Sequence, residues 1–143
     1  MASVAVEIAE AVKTELNAEA FGMAFTAERA YLPEYDLQDM SVLTVTVVPK
    51  AMDGERVARS AEQVDYQIDV GVQKKLATAS VAEIDALMAL VQEIADRLRF
   101  RRLAEKPDAL WVRTQNEPVY SVEHLSQLRQ FTSVLTLTYR VAR

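Results

Sequence analysis

A chain of 143 residues, 50% hydrophobic and 26% charged, has the size and composition of one globular domain spanning 1–143, and such a domain hides roughly two-thirds of its unfolded surface. Its net charge of -5 argues against a general polyanion-binding face, which needs clustered Lys and Arg. The lack of cysteine excludes disulfides, thiolate nucleophiles and Cys-based metal sites.

In chain order, Ser3 caps a first helix running to about Asn17, with Val4, Ile8, Val12 and Leu16 on one face. Glu7, Glu10, Lys13 and Glu15 interrupt it, so it is no signal peptide. No apolar run is long enough to span a membrane, and the chain reads as soluble. Phe25 to Tyr31 permits a strand ended by Pro33. The β-branched run Val42–Val48 predicts a strand closed by Pro49. Residues 50–61 read as a long polar excursion rather than a tight hairpin turn. Val64, Tyr66, Ile68, Val70 and Val72 alternate with polar residues, the pattern of a half-buried strand.

Ser80-Val81-Ala82-Glu83 is a capping box, and Ile84, Leu87, Met88, Val91, Ile94, Ala95 and Leu98 form an apolar stripe behind it. That long central helix is expected to end near Leu103, its last turns crowded by Arg97, Arg99, Arg101 and Arg102. A short strand at Leu110–Arg113, a turn at Pro118 and a short helix from Val122 to about Arg129 follow; Leu125 and Leu128 share its apolar face. Alternation from Phe131 to Val141 predicts a closing strand docked in the sheet. The expected fold class is α+β: an antiparallel or mixed sheet with the N-terminal helix and the long central helix on one face.

The usual catalytic constellations are missing. His124 is the one histidine, with no nucleophile placed beside it, and reads as a surface or half-buried side chain. Gly22, Gly54 and Gly71 form no phosphate loop. Asp65 and Asp69 share one strand face ahead of Gln73-Lys74-Lys75, faintly like some metal-dependent nucleases. Carboxylates four apart on a strand lie roughly 13 Å from each other, however, too far to share a metal unaided, and a solvated strand face accounts for them. The Arg97–Arg102 cluster suits phosphates or a partner's carboxylates; equally, it satisfies the helix dipole and pairs with acids such as Glu105. The mixed-charge excursion from Lys50 to Glu62 suggests ordering on assembly. Thr132, Val134, Thr136 and Thr138 suit a sheet face meeting a surface of moderate polarity or plain solvent.

The layout resembles the small neck and tail-completion proteins of tailed bacteriophages, especially tail terminators of long-tailed phages. The segments that carry it are the N-terminal helix, Phe25–Tyr31 leading to Leu43–Lys50, Asp65–Lys75, the helix with Ile84-Asp85-Ala86-Leu87-Met88, and Phe131–Arg140. The resemblance covers nearly the whole chain. It implies a ring, commonly of six subunits, that stops tail-tube growth and faces the head-side connector. The implied partners are further copies, tail-tube protein, the head–tail connector and genomic DNA passing the lumen without specific binding, with no membrane, cofactor, metal or catalysis. The implied location is the virion tail or neck, after assembly in the host cytoplasm. A head-closure or adaptor protein, or another non-catalytic binding module, is the alternative. Closed rings use two different patches per subunit. Lys50, Asp53, Glu55, Arg56 and Arg59 are candidates for an oligomer or lumen loop, and Asp65, Gln67, Asp69, Arg97 and Arg101 for subunit interfaces.

Overall fold

A computed structural model describes residues 3–31, 43–77, 80–117, 119–127 and 129–143. Pro33, Val42, Pro118 and Leu128 lie outside the described residues, as does the side chain of His124. The elements are α1 (Val4–Ala18), β1 (Ala27–Arg29), β2 (Thr44–Ala58), β3 (Ala61–Lys75), α2 (Val81–Leu98), β4 (Leu110–Asn116), α3 (Val122–Gln127) and β5 (Gln130–Ala142). The five strands form one mixed sheet in the order β1-β2-β3-β5-β4. Only β1, parallel to β2, departs from antiparallel pairing. The fold is α+β. Among the described residues no helix is long and apolar enough to cross a membrane.

Ser3 starts α1 by accepting the Val6 N–H at 3.2 Å, and Ile8, Ala9, Ala11, Val12 and Leu16 form its buried stripe. Asn17 does more than mark the helix exit. Its Nδ2 donates to the Ala27 carbonyl at 3.1 Å and its Oδ1 accepts the Ala27 N–H at 2.7 Å, clamping β1 to the end of α1.

Ser80 starts α2 by accepting the Glu83 N–H at 3.2 Å, while Leu87, Leu90, Val91, Ile94 and Leu98 turn inward. The helix stops at Leu98, short of the expected Leu103. Phe100 takes a left-handed backbone, φ 59, which no α-helix continues through. Leu103 is still fully buried, so it serves the core from a loop.

On the helix-facing side of the sheet, β2 contributes Val45 and Val47 and β3 contributes Val64, Tyr66, Ile68, Val70 and Val72. Opposite them β5 supplies Phe131, Leu135, Leu137, Tyr139 and Val141. These side chains form one core with the buried stripes of α1 and α2. Helix α1 packs against β1, β2 and β3, and α2 against β5.

The polar excursion expected at 50–61 is not a loop. Strand β2 continues through Pro49 to Ala58, and only Arg59 and Ser60 separate it from β3. Pro49 is tolerated because it sits at a register shift, between Pro49 and Ala51, and beyond the last β1 partner, Val47. Those are the places where a strand spares an N–H. The result is an extension of β2, the arm, held in the sheet through β3 alone; its residues from Lys50 to Ala58 are all exposed, as are Arg59 and Ser60 at its turn. The segment is laddered to β3 almost to its turn rather than running free as a loop.

Candidate interaction surfaces

The face of the sheet turned away from the helices is polar and layered across four strands. Strand β3 presents Asp65, Gln67 and Asp69, β5 presents Thr136, Thr138 and Arg140, the arm presents Asp53 and Glu55, and β4 presents Arg113. Arg140 grips Asp65 through two bonds, Nε at 2.8 Å and Nη2 at 3.1 Å. That hydrogen-bonded guanidinium, with a smaller contribution from Arg113, holds the Asp65 carboxyl below the usual aspartate value of 3.8. Asp53 stands directly across from Asp65 in the ladder. Like charges in that relation repel, and the Arg140 bridge offsets the repulsion. Between these groups lies a groove of about 310 Å³, lined among others by Asp53, Asp65, Gln67, Arg113 and Arg140. The hydroxyl of Thr138, which also lines it, is buried without a hydrogen-bond partner among the described residues.

Asp65 and Asp69 do share a face, but each has its own partner: Asp69 accepts the Thr136 hydroxyl at 2.7 Å. Lys74 lies on the opposite face of β3, opposite Phe131, and its ammonium reaches Glu83 at 3.1 Å. By period two Gln73 and Lys75 keep the face of the aspartates and only Lys74 turns away, but Lys75 stands six positions, roughly 20 Å, along the strand from Asp69. Among the described residues no group of three His, Cys, Asp or Glu side chains is placed to hold a metal.

The arginines at the end of α2 are engaged within the chain, and with different acids from the expected Glu105. Arg101 donates from Nε to Glu15 at 3.0 Å and from Nη2 to Glu19 at 3.0 Å, and Arg97 reaches Glu19 at 3.5 Å. Glu15 is the one charged side chain in the buried stripe of α1, and it also accepts the Ala104 N–H at 3.0 Å. This network ties the end of α1 to the loop leaving α2.

On the arm, Asp53 and Glu55 face the polar side and Arg56 the other, with Lys50 and Arg59 at the register shift and the turn. Sequence reasoning missed three features. Arg140 reads as one polar residue of an alternating strand, yet period two puts it on the face of the aspartates, and that could have flagged it. Met52 looked like a loop residue but stands 63% exposed on the helix side of the arm. Phe100 looked helical, and nothing in its neighbours announced an aromatic 81% exposed at a left-handed corner.

No family model matches the sequence, and no curated protein matches it. Solved structures do share the fold. A chain of the virion of a native gene transfer agent particle superposes with a TM-score of 0.60 at 16% identity, covering 100% of both chains. The sheath/tube terminator of an extracellular contractile injection system (PVC), in its extended state, superposes with a TM-score of 0.53 at 17% identity. This chain is covered completely there and spans 57% of the terminator's length. The fold is thus shared with a virion chain and with an injection-system terminator.

Proposed function

We propose that this chain is a structural terminator of a phage-like tail, a single-domain subunit whose copies close into a ring on the end of the tail tube. The observation that carries the reading is the end-to-end match with a virion component, coupled with the match to a terminator. In this reading the ring is a hexamer, sits in the tail or neck of the virion and meets tail-tube protein on one side and the head-side connector on the other. Its role is positional and not catalytic. The polar sheet face with Asp65, Gln67 and Asp69, and the arm with Lys50, Asp53, Glu55, Arg56 and Arg59, supply surfaces for such contacts. Arg97 and Arg101 serve chiefly to brace α1 within the subunit. With a net charge of -5, the ring lets DNA slide past rather than gripping its phosphates.

The test is the mass of the purified protein by light scattering over a range of concentrations, alone and with tail-tube protein. An assembly near six times the 16.0 kDa subunit, free or formed on the tube, is the expected result. A strict monomer that ignores the tube refutes the reading and favours a head-closure or adaptor protein.

A further inference from the structure

The two lateral edges of the sheet carry complementary features at the same height. Register places Met52, Tyr66, Tyr139 and Trp111 in one row across β2, β3, β5 and β4, on the helix side. At the β4 end of that row stands Phe100, its ring 4.7 Å from Trp111 in an edge-on contact. Phe100 occupies the left-handed position after α2 that glycine ordinarily fills, because any Cβ is strained there. The chain thus accepts backbone strain in order to hold an aromatic ring in solvent, the kind of outlier that points to a use. At the β2 end of the row, Val4, Ala5, Met52 and Tyr66 form the apolar walls of a groove of about 540 Å³, with Glu7 and Arg143 also among its lining.

Both edges also offer main-chain groups. Beyond Val47, β1 no longer accompanies β2, and among the described residues no strand covers the outer edge of the arm or of β4. Alternating antiparallel pairing makes β4 run opposite to β2. A copy set alongside in the same orientation therefore brings its β4 antiparallel to the neighbouring β2. On the polar face the row of Arg113 runs through Thr138 and Gln67 to Ala51, which brings Arg113 of one copy diagonal to Asp53 of the next. Strand β4 offers Arg113 and the arm offers Asp53 and Glu55, all exposed and none in a salt bridge among the described residues.

We propose that the β4 edge docks on the β2 edge of a second copy, with Phe100 entering the Val4–Ala5–Met52–Tyr66 groove and Arg113 reaching diagonally to Asp53, with Glu55 adding to the acidic field of that edge. The two patches differ, so the contact is heterologous and repeats from copy to copy, as a ring requires. The proposal rests on the ring reading and deepens it by naming the subunit contact.

Three variants test it by light scattering and thermal unfolding: Phe100→Gly, Arg113→Glu, and Asp53→Lys with Glu55→Lys. Loss of a central aromatic anchor or reversal of a facing charge should raise the concentration for half-association on the order of tenfold or more. Phe100→Gly should do so without lowering the melting temperature of the dissociated subunit, read at a concentration where wild type is dissociated too, because glycine relieves the left-handed strain. Combining Arg113→Glu with the two lysines in one chain should recover association. If the wild type assembles and these variants assemble equally well, the ring reading stands and this contact is wrong. The contact is also wrong if Phe100→Gly lowers the melting temperature and leaves assembly unchanged. A wild type that never associates, alone or with tube protein, overturns both.

Discussion

Replacing Arg101 with alanine isolates the tie between α1 and the end of α2. Glu15 is 7% exposed, and Arg101 is 37% exposed. Breaking a fully buried ion pair from one side costs about 3–5 kcal/mol, since a desolvated charge is left behind. An exposed pair is worth about 0–1 kcal/mol. Glu15 belongs to the first class and Arg101 nearly to the second, so Arg101→Ala should cost about 2 kcal/mol. Unfolding entropy of about 2.1 cal/mol/K per residue over 143 residues is about 0.3 kcal/mol/K, which converts that loss to about 7 °C in Tm. Glu15→Gln keeps an acceptor for the Ala104 N–H and removes the charge, so Arg101→Ala should cost markedly less in that background. The cycle, run by urea denaturation at one fixed protein concentration so that association adds no bias, should give a coupling of about 1 kcal/mol or more. An Arg101→Ala variant within about 0.5 kcal/mol of wild type, the scatter of ordinary surface changes, refutes the argument. So does one that loses the full amount in both backgrounds.

Two further outcomes are expected. The folded-state pKa of Asp65 is depressed by Arg140, so its contribution is present above the unfolded value of 3.8 and is lost as pH falls through the folded value. Asp65→Asn should therefore be less stable than wild type at neutral pH and converge with it as pH falls through the depressed folded value; an unchanged gap between their urea midpoints at neutral and strongly acidic pH would contradict this. The Tyr139 hydroxyl is fully buried with no hydrogen-bond partner among the described residues, and burial pushes its pKa up. Tyr139→Phe should be neutral or stabilising by up to about 1 kcal/mol. A measured loss beyond that amount would mean that the hydroxyl has a partner.

What was legible in the sequence follows from where the stabilising forces are local. Ser3 and Ser80 announced both main helices, because a cap is written within four residues. The alternation in β3 and β5 announced strands, because one face of each is core. Local signals failed at the arm. Its β2 side has no buried face, it is held by the β3 ladder alone, and Arg59-Ser60 lacks the Asn-Gly chemistry that marks a two-residue turn. They failed again at the end of α2, where no glycine or proline before Pro107 marks the stop. There a carboxylate 86 residues away in sequence draws Arg101, and the core claims Leu103. The polar-face aspartates could be read from period two. Their partner Arg140 could not be assigned until β5 was known to lie beside β3, and the exposed position of Phe100 depends on that same arrangement of strands.

The placement of β5 has a consequence for the order of events during synthesis. This strand follows every other in the chain, yet it sits between β3 and β4 and pairs with β3 from Lys75–Gln130 to Gln63–Ala142. Until residues 130–142 have been translated, β3 has only β2 beside it and β4 has no neighbour to hold it in the sheet. Sheet completion is thus a late, long-range step of the kind that slows folding. Meanwhile the β-branched stretch from Val64 to Val72 is left with a bare side on which nascent chains can stick. The β4 edge of the proposed contact comes into being only once β5 is seated. Pairing at that proposed edge is therefore reserved for subunits that have already closed their sheet, whatever adhesion the bare side of β3 allows before then.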